Sequence, residues 1–236
     1  GGFLIFFCQG RLLHRMTIAF ENSGFQIRDM LAWARFGQAK AQKQEHHIRR
    51  HVRKGLISPE EGDHLIASLA GRKTPQLAPY FEPMSLAMKP LEGTHVENWI
   101  RHQTGLIDTC TSLDGKFPSN LMHVAKPCKK ERGSYNTHLT VKPADLIEHL
   151  VRIFSIEGQV VLDPFMGSGS HGIGAIRAQR NFIGCEPVPE YFSIAEKRLA
   201  ENCPEARRAS CIDGTILRDE ILTKISGDNT SPSAIS

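Results

Sequence analysis

The segment Val160-Val161-Leu162-Asp163-Pro164-Phe165-Met166-Gly167-Ser168-Gly169-Ser170 constrains this chain more than any other stretch. A short β-branched run ends in an acid, a proline and an aromatic. A glycine turn follows and opens a helix, and a second apolar run then ends in Glu186. A strand, a glycine turn and a helix in that order belong to α/β folds with a parallel sheet, and they build a pocket at the carboxyl edge of the strands.

The glycines alone admit two ligands. Gly167, Gly169 and Gly172 satisfy G-x-G-x-x-G with an acid, Glu186, about 20 residues on, as a nicotinamide dinucleotide site requires. A dinucleotide presents a pyrophosphate to the helix N-terminus and needs only backbone N–H groups there. A ligand with an ammonium and a ribose needs acceptors instead. Asp163 at the first strand end and Glu186 at the second are placed to accept from such groups, and Phe165 can line an apolar arm. Asp163 also has a plain structural reading, as an acid stabilised by a helix N-terminal dipole.

The neighbouring segment decides which reading is favoured. Asn136-Thr137-His138-Leu139-Thr140-Val141-Lys142-Pro143 precedes an amphipathic helix with Leu146, Ile147, Leu150, Ile153 and Phe154 as its apolar stripe. Pro143 suits the first helical position. With the Asp-Pro-Phe and glycine turn that follow, residues 136–201 resemble the C-terminal half of beta-type amino-group DNA methyltransferases. The resemblance implies S-adenosylmethionine as cofactor. It implies a cofactor site made by Asp163, Pro164, Phe165, Gly167, Ser168, Gly169, Ser170 and Glu186, with Thr140 and Lys142 at the methionine end. A lysine suits the methionine carboxylate. Leu139 stands where the family usually has proline, and Ser170 where it usually has threonine; the serine keeps the hydroxyl. Cys185 is expected to be a buried small hydrophobe.

The family's base-holding motif is Asp, Asn or Ser, then Pro-Pro, then an aromatic. No such tetrapeptide occurs in the 236 residues. Ala78-Pro79-Tyr80-Phe81 has one proline and no polar leader. In the beta order the motif precedes the Gly1-Gly2 pair, so Gly1 is expected to be an internal residue of a longer protein. This chain is expected to carry no catalytic residue for the amine and to be inactive alone. The apolar run Phe3–Phe7 reads as a buried strand; without the neighbour that carries the motif, it is expected to show an exposed apolar edge. The six cysteines contain no Cys-x-x-Cys pair, and the histidines show no ligand spacing, so no metal site is expected. Pro127-Cys128, the dipeptide of a cytosine-C5 nucleophile, lies in a basic loop.

Charge is distributed unevenly. Arg35, Lys40, Lys43, Arg49, Arg50, Arg53 and Lys54 stand against a single acid, Glu45. Residues 38–54 lack Gly and Pro and are expected to form a basic helix. Lys40, Lys43, Arg49, Arg50, Arg53 and Lys54 are the candidate DNA-binding set, because phosphates are the natural target of such a face. Ser58-Pro59-Glu60-Glu61 reads as a capping box opening a helix that Gly71 closes. No run reaches the roughly 18 apolar residues of a membrane span.

The expected architecture is therefore α/β: a Rossmann-like methyltransferase sheet with helices on both faces, interrupted by a target-recognition insert. Residues 1–36 and 136–225 form the core, 37–135 the DNA-binding insert, and 226–236 a disordered tail. The implied reaction moves a methyl group from S-adenosylmethionine to the exocyclic amine of a flipped adenine (N6) or cytosine (N4) in double-stranded DNA. The family implies a cytoplasmic protein of a prokaryote or phage, with a homodimer or a cognate restriction enzyme both open as partners. Two alternatives stand beside it: an NAD-dependent oxidoreductase using the Gly167-Gly169-Gly172 turn, and a non-catalytic DNA-binding remnant.

Overall fold

A computed structural model describes residues 1–203; the expected tail at 226–236 and the core residues after 203 lie outside them. The chain divides into two compact units, Gly1–Gly105 with Ser119–Ala125, and Leu106–Pro118 with the chain from Lys126 onward.

The first unit is built on a four-stranded sheet in the order β1-β3-β2-β4. β1 (Phe3–Phe7) leads through a short turn into α1 (Leu13–Asn22), and β2 (Gln26–Ala34) returns. Phe20 of α1 packs edge-on against Phe6 and Phe25, with ring centroids 5.7 and 6.4 Å apart. β3 (Phe81–Met88) runs antiparallel between β1 and β2, with Ile5 level with Leu86 and Leu31 level with Met84. Its residues Pro83–Met88 are buried. β4 (Leu121–His123) lies parallel to β2, and Trp33 Nε1 donates to the Val124 carbonyl at 2.8 Å.

Within the span 37–135, Phe81–Met88 is an inner strand of this sheet, residues 121–123 are its parallel edge and residues 126–135 fall in the second unit. The described strands pair as two sheets, with residues 1–36 in the first unit and 136–203 in the second. β1 is not a buried strand; it is the outer strand of the four and only half-buried, as an apolar edge strand must be.

A long stretch separates β2 from β3. Its two ends stay tied: Arg35 N–H donates to the Tyr80 carbonyl at 2.9 Å, Gly37 N–H to Pro79 at 2.8 Å, and Thr74 N–H to Gln42 at 3.0 Å. Beyond this stem lie α2 (Glu45–Arg53) and α3 (Pro59–Ser68). The Ser58 capping box forms as expected, with the Glu61 N–H donating to Ser58 Oγ and the Ser58 N–H to the Glu61 carboxylate. Ile48 is buried in α2 beside Val52, and both face Gly62 of α3. A Cβ on Gly62 would sit 2.5 Å from Val52 Cγ2, so only glycine permits this approach.

The second unit pairs β5 (Val160–Asp163) with β6 (Asn181–Gly184) in parallel, Asp163 level with Gly184. α7 (Ser170–Arg177) makes the crossover, as a parallel pair requires. α6 (Ala144–Phe154) buries Leu146, Ile147, Leu150 and Ile153 of the predicted stripe, while Phe154 at its end is half-buried. Pro143 stands one position earlier than expected, at the N-cap. It offers no capping side chain there, and Glu131 Oε1 accepts from the Ala144 N–H at 2.7 Å instead. α6 and α7 meet at Gly174, where a Cβ would lie 2.6 Å from Ile147 Cγ2. α8 (Pro189–Asn202) completes the unit. No described helix is long and apolar enough to cross a membrane.

Candidate functional site: a glycine turn between two carboxylates

β5 ends at Asp163, and the chain must reverse into α7 within six residues. Gly167 (φ +53°) and Gly169 (φ +78°) take left-handed conformations that allow it. Asp163 is 8% exposed, and both its oxygens are engaged: Oδ1 accepts from the Phe165 N–H at 2.9 Å and Oδ2 pairs with His171 Nδ1. Burial pushes the Asp163 carboxyl up. The hydrogen bond and charge of His171, with the Phe165 N–H, outweigh it and hold the group below the usual carboxylate range.

Glu186 stands two residues beyond the strand position level with Asp163. Its Oε2 accepts from the Gly167 N–H and its Oε1 from the Val188 N–H, each at 3.0 Å. The second strand end is thus bonded to the turn of the first. Phe165, 74% exposed, and Pro164 lie at the surface beside these acids.

Ser168 and Ser170 are buried, and both hydroxyls accept from Arg198 Nη1, at 3.1 and 3.2 Å. Arg198, on α8 and 2% exposed, also donates to the Ser168 carbonyl. A buried guanidinium thus fixes the turn from the protein side. Gly172, the third glycine of the pattern, serves packing, since a Cβ there would lie 2.6 Å from Leu199 and 2.7 Å from Phe182.

α8 also carries the upstream motif. Tyr135 Oη donates to Glu201 at 2.6 Å, Thr137 Oγ1 to Glu190 at 2.8 Å, and the His138 ring stacks edge-on against Tyr191, centroids 4.7 Å apart. Burial and the neighbouring Glu201 push the Tyr135 hydroxyl up to about 12. His138 reaches the turn itself: a Cβ on Gly167 would lie 2.8 Å from its Nε2. Burial lowers the His138 pKa. Thr140 is exposed and Lys142 half-buried on the stretch that follows.

Three residues of this site escaped the sequence reading. Arg198 had a signal, since it lies four residues after Ile194 and three after Ala195, on the buried face of α8. His138 lay inside a quoted motif without a role. His171 follows the turn directly, and no pattern marked it.

The basic set lies in the first unit. All six residues, Lys40, Lys43, Arg49, Arg50, Arg53 and Lys54, are exposed. The expected helix over 38–54 is shorter. Lys40 and Lys43 sit on the stem, where the Gln42–Thr74 ladder replaces helical bonding, and Lys54 is the C-cap. Lys43, Glu45, His46, Arg49 and Arg53 line a surface recess. Arg49 pairs with Glu45 at 2.9 Å.

Fold and site together define a class: a Rossmann-like α/β protein with a ligand turn at the carboxyl ends of parallel strands. Residues 1–197 match the N6/N4 DNA methylase family, and the chain belongs to it. The type II methyltransferase M.HindIII of Haemophilus influenzae is 30% identical over 213 residues, which cover 86% of this chain and 65% of that protein. The type II methyltransferase M2.DpnII of Streptococcus pneumoniae is 48% identical over 66 residues, 28% of this chain and 25% of that one. The chain therefore spans less than two thirds of the length of these relatives. Among solved structures, the M1.HpyAVI–SAM complex aligns with a TM-score of 0.52 at 23% identity, over 84% of this chain and 74% of that one. The cytosine-N4-specific PvuII DNA methyltransferase aligns at 0.50 and 21%, over 85% and 60%. These likenesses establish the shared fold.

Proposed function

We propose that this chain holds S-adenosylmethionine at the glycine turn and contacts double-stranded DNA through the arm between β2 and β3. In the whole enzyme the methyl group passes to the exocyclic amine of a flipped adenine or cytosine. The observation that carries the reading is the pair of strand-end carboxylates, Asp163 and Glu186, both fixed by backbone N–H groups of one turn. Fixed acceptors suit a cationic amino-acid moiety and a ribose. They do not suit a pyrophosphate: the Gly167 N–H that would bind one is already bonded to a carboxylate. The oxidoreductase reading finds no support in the relatives either.

Asp163 is the acceptor for the cofactor's ammonium, Glu186 for the ribose hydroxyls, and Phe165 offers an exposed ring to the apolar arm. Lys142 can neutralise the cofactor's carboxylate, with Thr140 beside it. When bound, the cofactor supplies an electrophilic methyl group. The protein's part is to fix that group and to exclude other geometries. The recognition role expected of 37–135 narrows to 37–80, where the exposed cations stand on a tied stem. The deciding experiment is titration calorimetry with S-adenosylmethionine and with NADH. Asp163→Ala is expected to weaken S-adenosylmethionine binding by about 1–3 kcal/mol, the value of a charged hydrogen bond. Equal affinity in both proteins, or saturable micromolar binding of NADH, overturns the assignment. The 236 residues hold no Pro-Pro-aromatic element to grip a flipped base. Incorporation of labelled methyl into mixed-sequence DNA is accordingly expected to stay at the level of a blank.

A further inference from the structure

His171 has no part in the assignment above, yet it touches the acid on which that assignment turns. It occupies the first turn of α7, immediately after Ser170, and its Nδ1 pairs with Asp163 Oδ2. The other oxygen, Oδ1, accepts from the Phe165 N–H at 2.9 Å. A carboxylate held by one donor can still rotate about its last bond. One held at both oxygens cannot. Each oxygen keeps a second lone pair, and the rotation fixed by His171 and Phe165 decides where those lone pairs point. The Phe165 donor is backbone and comes with the turn. The His171 donor is a side chain, so the second constraint depends on this one residue. Its ring is half-buried, as is needed for a directional contact in a poorly hydrated place.

We propose that His171 is a positioning residue for cofactor binding: it sets the rotation of the Asp163 carboxylate, and thereby aims the free lone pairs at the ammonium of S-adenosylmethionine. This rests on the reading of Asp163 given above. His171 touches no reacting atom in this account. Its effect is confined to the ammonium-bearing end of the ligand and passes through Asp163 alone.

Two ligands separate this role from a structural one. 5′-Methylthioadenosine keeps the adenosine and the methylated sulfur of S-adenosylmethionine, the sulfur as a neutral thioether in place of the sulfonium, and lacks the ammonium and carboxylate. Affinities for both are measured by calorimetry on the wild type, His171→Ala, His171→Asn, Asp163→Ala and the double variant His171→Ala/Asp163→Ala. His171→Ala is expected to bind S-adenosylmethionine about tenfold more weakly, the scale of one charge-assisted hydrogen bond, and 5′-methylthioadenosine unchanged. His171→Asn, which keeps an N–H donor near the same place, is expected to recover most of the loss. The double variant should bind no more weakly than Asp163→Ala, because both substitutions remove one interaction. An equal loss for both ligands, or an unchanged or tighter affinity of His171→Ala while Asp163→Ala is impaired, overturns the role of His171 alone. Unimpaired binding by Asp163→Ala overturns the cofactor reading and this inference together.

Discussion

The glycine turn and the basic arm use charge in opposite ways. At the turn every charge is held. Asp163 is 8% exposed and bonded at both oxygens, Glu186 accepts two backbone N–H groups, and Arg198 is 2% exposed among hydroxyls and carbonyls. On the arm all six candidate DNA-binding cations are exposed, and Arg49 pairs with Glu45 on the same helix. A buried charge bonded to specific groups recognises particular atoms, and its loss leaves those partners stranded in a place water reaches poorly. An exposed cation recognises a field, and any one of them is replaceable by its neighbours. Two regions of one chain are thus expected to answer the same substitution differently.

The largest expected effect compares two arginines. Arg198→Met strands the Ser168 carbonyl and the hydroxyls of Ser168 and Ser170. It should destabilise the protein by about 3 kcal/mol, since a buried orphaned acceptor costs about 1–3 kcal/mol and several are created. Arg50→Met, on the arm, should stay within about 0.5 kcal/mol, as surface changes do. Urea denaturation measures both. Similar losses for the two would abolish the contrast.

Next in size is the arm's collective effect. Neutralising Arg49, Arg50, Arg53 and Lys54 together should weaken duplex binding and flatten its dependence on salt. The slope of log affinity against log salt should fall by about 0.9 for each phosphate that no longer meets a cation. An unchanged slope would mean that the face is merely solvated. Any one of the four alone should change the slope by no more than that single increment.

The smallest effect sharpens the comparison through pH. His149, on α6 in the second unit, is 6% exposed, and burial lowers its pKa. The unfolded chain therefore binds a proton near pH 6.5 that the folded protein refuses. Stability from this group is complete above about pH 6.5 and declines as the pH falls through the lower folded value. His149→Gln should flatten the decline between pH 7 and 5 in chemical denaturation curves. A decline as steep in His149→Gln as in the wild type would show that burial of this ring is not its cause.

Local features of this fold were legible in the sequence. The stripe from Leu146 to Ile153 and the Ser58–Glu61 capping box depend on residues three or four apart, and both form as read. Asp163, the glycines and Glu186 were legible because the turn is a continuous segment. Pairing across the chain was not. Nothing within Phe81–Met88 states that it divides β1 from β2, because strand order is settled by partners some 50 to 80 residues away. The helix expected from residue 38 begins at Glu45 because Thr74, far along the chain, bonds Gln42. Arg198 was passed over for a related reason: an arginine on a helix ordinarily faces water, and only the arrangement of α8 against the turn makes it a buried anchor.

The stem joining Arg35 to Tyr80 and Gly37 to Pro79 has a consequence for how such a protein can change. β2 and β3 are antiparallel neighbours, so the chain leaves and re-enters the sheet at adjacent points whatever lies between them. The entropy of closing a loop there grows only with the logarithm of its length, about 0.6 kcal/mol per doubling. Residues 38–78 are thus a cassette on a fixed socket. Helices of other lengths and charges can be exchanged at that socket without disturbing a strand register, and a new surface can be tried there while the sheet that carries it stays as it is.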